Sequence, residues 1–131
     1  MTQRDWLFWL VTVIAIGTVT AGLGQLALPR VVLFLVDGSP TLDAAYFFAI
    51  IGMFMALFGG MMLHTLFSSA PHPTILLWAS LQKLGASLAV GLGVLGGHFG
   101  PLAYAVAGFD LFSGIVMLMY RTRLTASPLA I

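Results

Sequence analysis

Apolar residues run along the chain in four long blocks, each broken by a short cluster of proline, glycine and polar residues. A helix needs ~20 mostly apolar residues to cross the ~30 Å hydrocarbon layer of a bilayer. The blocks at 6–28, 44–66, 74–95 and 101–120 meet that length. The first holds no charge and is longer than the ~7–15-residue apolar core of a signal peptide, so it reads as a retained anchor. Pro29 then interrupts, because it has no amide hydrogen and clashes with the preceding turn. The apolar run 30–36 is too short to span, which predicts a short interfacial or re-entrant segment. Asp37-Gly38-Ser39-Pro40 reads as a turn. Thr41 is the expected N-cap of the second span, with Asp43 as a first-turn carboxylate. Residues 68–73 form a short, stiff connection, Gly96-Gly97 suits a helix end, and Pro101 suits the first position of the fourth span. The expected fold is an all-α integral membrane protein: one domain, 1–131, of four antiparallel transmembrane helices in a compact bundle.

Composition sharpens this picture. The chain is 60% hydrophobic and 7% charged, against about 25% charged in ordinary soluble domains, and its mean hydropathy is +1.08. A small soluble domain leaves about 40% of its unfolded surface in water, and five Lys+Arg with four Asp+Glu cannot cover that area. A soluble enzyme, a disordered tail and a nucleic-acid binder are excluded. The absence of cysteine removes disulfides, thiolate nucleophiles and Cys-ligated metal. Basic residues flanking spans stay on the cytoplasmic side. Arg4, Arg121 and Arg123 lie on one side and Arg30 on the other, which predicts a plasma (inner) membrane protein with both termini cytoplasmic. Trp6, Trp9, Tyr46, Trp78 and Tyr120 fall near span ends, where aromatic belts form.

Lipid tails are as apolar as leucine, so close approach through small residues, not leucine burial, holds membrane helices together. The expected packing stripes are Gly52, Ala56 and Gly60 on the second span and Gly85, Ala89 and Gly93 on the third. Gly17, Ala21, Gly22 and Gly24 supply small residues on the first.

Two charges lie inside spans. Lys83 and Asp110 each stand nine residues into their helix, or ~13–15 Å at ~1.5 Å per residue. Adjacent antiparallel spans joined by a tight loop would bring them to one depth. The pattern predicts a buried ion pair, with Gln82 and Ser87 as supporting hydrogen-bond partners. His64 and His72 share a side, with Met61 and Met62 nearby. Soft thioethers favour monovalent copper, but the spacing matches no metal motif, so these two are weak candidates and no metal or cofactor is expected. His98 falls on the opposite side. Gln25 stands where it can bond across helices. Catalytic constellations are missing.

The leading functional expectation is therefore a protein that acts by contact, as an accessory or structural subunit or an assembly factor of a larger membrane complex. Its partners would be the bilayer and other membrane subunits or further copies of itself, with no nucleic acid. The alternatives are a small transporter or channel subunit using the midplane Lys83–Asp110 pair, and a membrane-embedded lipid- or quinone-binding protein.

Overall fold

The computed structural model describes residues 4–37 and 41–126, with the backbone alone for Asp37. It is all-helical over those residues: α1 (Trp6–Ala27), α2 (Pro29–Asp37), α3 (Leu42–Phe67), α4 (Pro73–Leu95) and α5 (Ala103–Ala126). All but α2 are long and apolar enough to cross a membrane, with mean hydropathy of 2.0 in α1 and α3 and 1.5 in α4 and α5. The turn expected at 37–40 lies, beyond Asp37, outside the described residues.

Local chemistry sets the helix limits. The Asp5 carboxylate accepts the Phe8 amide at 3.0 Å and caps α1, satisfying one of the amides that every helix start leaves unpaired. Thr41 caps α3 in the same way, accepting from the Ala44 amide at 3.2 Å. Pro29 ends α1 and opens α2, since its missing amide costs nothing at a first helical position. The apolar run after Pro29 is thus a nine-residue helix. Gly97, at φ +76, supplies the left-handed residue that closes α4.

Two limits differ from expectation. Pro101 does not begin α5; residues 100–105 make i→i+3 bonds, Ala103 to Gly100, Tyr104 to Pro101 and Ala105 to Leu102, each 3.1 Å. This tighter turn delays the helix to Ala103. At the other end α5 continues past Tyr120 to Ala126, so Arg121 and Arg123 belong to the helix and not to a tail. Tyr120 consequently leaves the aromatic belt: it is 3% exposed and packs on the Phe8 ring at 6.4 Å. Trp6, Trp9, Tyr46 and Trp78 are exposed.

The helices associate chiefly as two pairs, α1 with α3 and α4 with α5. The first pair is closed by backbone contact. A Cβ on Gly22 would stand 2.6 Å from the Gly52 carbonyl oxygen and the Ala56 nitrogen, and one on Gly52 would stand 2.7 Å from the Gly22 oxygen. Farther along, a Cβ on Gly59 would stand 2.7 Å from Val19 Cγ2 and 3.0 Å from the Ala15 oxygen. Gln25 Nε2 donates to the Phe48 carbonyl at 2.8 Å. Rising numbers on α1 thus meet falling numbers on α3.

The working stripe on α3 is Gly52, Ala56 and Gly59. Gly60, expected to belong to it, has nothing within 4 Å of its Cβ position. The reason is geometric: four residues advance a helix by about 400°, so each step of four drifts about 40° off the face, whereas seven residues return within about 20°.

The two pairs meet at one end of the molecule, where Leu7, Phe8, Val11, Met62, Leu66, Leu76, Met117 and Tyr120 form the core. Arg123 pairs with Asp5 there, and the Arg4 guanidinium lies over the Phe8 and Phe67 rings at 5.5 and 5.4 Å. Towards the other end, α2 lies against α1 and α3, and its Val36 carbonyl accepts the Gly100 amide from the α4–α5 loop.

Gly52→Ala is expected to cost about 1–3 kcal/mol, since the added methyl meets backbone that cannot rotate away. Gly60→Ala should be neutral or stabilising by up to about 1 kcal/mol, through better helix propensity alone. Thermal unfolding of both variants in the same detergent measures the contrast, and equal effects would refute the assigned face.

Candidate functional site

The second helix pair is organised around its charges. On α4, Leu76, Ser80, Lys83 and Ser87 recur at steps of three and four and share a face. On α5, Ala103, Ala107, Asp110, Gly114 and Met117 do the same and are buried. Lys83 Nζ donates to Asp110 Oδ1 at 2.8 Å, with the residues 2% and 7% exposed. The ammonium also lies 5.5 Å from the centroid of the Phe109 ring, within range of attraction to the ring's negative face.

Flanking contacts fix the register that brings these two together. One turn to one side, Ser87 Oγ donates to the Ala107 carbonyl at 2.8 Å. One turn to the other, a Cβ on Gly114 would stand 2.8 Å from Leu84 side-chain carbons and 3.2 Å from the Ser80 carbonyl oxygen. Ser80 Oγ turns back to its own helix and donates to the Leu76 carbonyl at 2.6 Å. Ser87 therefore serves the helix contact rather than the carboxylate, which is a different role from the one expected. Gln82 is half-buried and hydrogen-bonds to neither charge.

The small-residue stripe expected on α4 does not make this contact. Gly85 has nothing within 4 Å of its Cβ position, Ala89 is exposed, and Gly93 meets the Phe99 ring, where a Cβ would stand 2.6 Å away. Gly85 lies two residues beyond Lys83, about 200° around the helix. The polar stripe and the small stripe thus occupy opposite sides, and the polar one holds the partner.

Sequence reasoning did not find Ser113. It stands one turn beyond Asp110, is fully buried, and its hydroxyl has no partner among the described residues. Its only signal was the spacing of three from Asp110. His64 and His72 line one cavity with Met61 near the α3–α4 connection, while His98 sits in the α4–α5 loop. Met62, 1% exposed, belongs to the core instead. Among the described residues, no three His, Cys, Asp or Glu side chains gather as a metal site.

No family model matches the chain, and no curated protein or solved structure matches it either.

An ionised group left alone in an interior is far more costly than the loss of a pair as a whole. Lys83→Met is accordingly expected to destabilise the protein by ~3–5 kcal/mol, and Lys83→Met with Asp110→Leu to recover most of that loss. Unfolding midpoints of the two single variants and the double variant provide the test. A double variant as unstable as the two singles summed would remove the coupling.

Proposed function

We propose that this chain is a small multi-pass integral membrane protein that works by contact, as an accessory or structural subunit or an assembly factor of a larger membrane complex. The closed Lys83–Asp110 pair carries this reading. Two charges inside the spans are spent on each other at 2.8 Å, where they hold α4 on α5. Large apolar side chains face outward along the spans, including Leu57, Leu88, Phe109 and Phe112, with Gly60 and Gly85 open at the surface. A neighbouring membrane helix can approach closely over such positions.

In this reading the four spans form an antiparallel bundle in the plasma (inner) membrane. The opposed numbering of the α1–α3 contacts, and of Ser80–Gly114 and Ser87–Ala107 on α4 and α5, supports the antiparallel arrangement. The Arg123–Asp5 pair supports placing both termini at one end. Arg4, Arg121 and Arg123 at that end, against Arg30 at the other, support its being cytoplasmic. The partners are the bilayer and other membrane subunits or further copies of the chain.

One observation favours a second reading, a small transporter or channel subunit. The Ser113 hydroxyl, one turn from Asp110 and without a hydrogen-bond partner among the described residues, adds a third buried polar group to this helix face, and transporter sites lie near the bilayer midplane.

Extraction from native membranes in a gentle detergent, followed by native mass spectrometry, tests the contact reading. The expected result is a stable assembly with other membrane proteins; a lone or purely self-associated chain overturns it. Proton flux in liposomes that Asp110→Asn abolishes would establish the second reading instead. Orientation is checked separately in the cysteine-free chain: on intact cells, an impermeant maleimide should label His98→Cys and leave Ser69→Cys unlabelled, and the reverse would invert the topology.

A further inference from the structure

The connection between α3 and α4 carries chemistry that neither the ion pair nor the contact reading uses. Met61, the adjacent pair His64 and Thr65, and the C-cap Ser68 stand three or four residues apart, so they lie along one side of the end of α3. Thr65, 1% exposed, folds the connection back onto that side. Its Oγ1 accepts the His72 amide at 2.7 Å, and its carbonyl accepts Ser68 Oγ at 2.9 Å. Pro71 and Pro73 flank His72, and each ring fixes a backbone torsion. His72 is thereby held over the turn that bears His64.

The result is a cavity of about 230 Å³ lined by Met61, His64, Thr65, Ser68, His72 and Ile75. Both histidines are exposed. Their only hydrogen bond beyond the helical ladder and its caps is the one from the His72 backbone amide to Thr65, so both imidazoles are left without a partner among the described residues. Met61 is 37% exposed and lines the same cavity, while Met62 is buried in the core.

We propose that this cavity binds a monovalent copper ion through the imidazoles of His64 and His72 and the thioether of Met61. Thioether sulfur selects soft Cu(I), and imidazole suits copper equally. Calcium and magnesium require sets of oxygen ligands, largely carboxylate or carbonyl, and here the oxygens are the hydroxyls of Thr65 and Ser68, both engaged with backbone. Structural zinc takes four closed ligands from Cys and His, and this cavity offers two. The set of two nitrogens and one soft sulfur fits a d¹⁰ ion that accepts low coordination. Binding involves no electron transfer; the ion enters and leaves as Cu(I).

The test is a titration of the full-length protein in detergent, under anaerobic reducing conditions, with Cu(I) held by a colorimetric chelator that competes for it. One copper per chain is expected. His64→Ala and His72→Ala should each weaken binding by ~10-fold or more, the loss that even an outer-shell partner can cause. Met61→Leu should remove the sulfur scatterer from the copper X-ray absorption spectrum while both histidine nitrogens remain. These side chains are exposed, so the melting temperatures of the apo variants should match that of the parent, and this separates ligand loss from misfolding. Copper retained wholly by the chelator overturns the proposal. So does a His64→Ala, His72→Ala double variant that binds like the parent, or uptake of Zn(II) in preference to Cu(I).

Discussion

An ammonium placed midway along an apolar helix must find a negative partner or leave, and for this chain the partner is 27 residues further on. Insertion scales put the penalty for one such charge at the centre of a bilayer at about 2.5–3.5 kcal/mol. The pairing of Lys83 with Asp110 therefore dictates which faces of α4 and α5 meet, and everything else in that helix pair conforms to it. Ser87 bonds to the Ala107 carbonyl one turn away, and Gly114 leaves room for Leu84. Gly85 and Ala89 end up away from this contact.

The other helix pair solves the same problem without charge. Apolar side chains gain nothing by leaving lipid for protein, so α1 and α3 hold each other through backbone proximity at Gly22, Gly52 and Gly59, with Gln25 adding one hydrogen bond between helices. One molecule thus uses two fastenings, an electrostatic one in α4–α5 and a steric one in α1–α3. They join where Phe8, Met62, Leu76 and Tyr120 interleave, and where Arg4 and Arg123 bind the start of α1.

Much of this was legible in the residues themselves. The spans follow from hydropathy and proline positions, and the ion pair follows from two charges at equal depth on helices joined by a tight loop. The choice of helix face was less legible. Gly60 and Gly85 look like packing residues because fours are easy to count, yet a strict spacing of four drifts around the helix and does not know where the charges are. Tyr120 was misplaced because α5 outruns the apolar block, through Arg121 and Arg123, which lie in its last turns. The folding of the 68–72 connection onto α3 was invisible, since it depends on the Thr65 hydroxyl reaching the amide of His72 seven residues on.

The sequence separation of the two charges also has a temporal meaning. Chains grow at ~5–20 residues per second, so Lys83 leaves the ribosome roughly one to five seconds ahead of Asp110. During that interval α1 and α3 already have every group they need for each other, while α4 carries an unanswered positive charge. Either the lysine waits near the headgroups until its aspartate emerges from the ribosome, or the last two helices enter the bilayer together as a hairpin. The order of synthesis makes the second half of the molecule the late and dependent half.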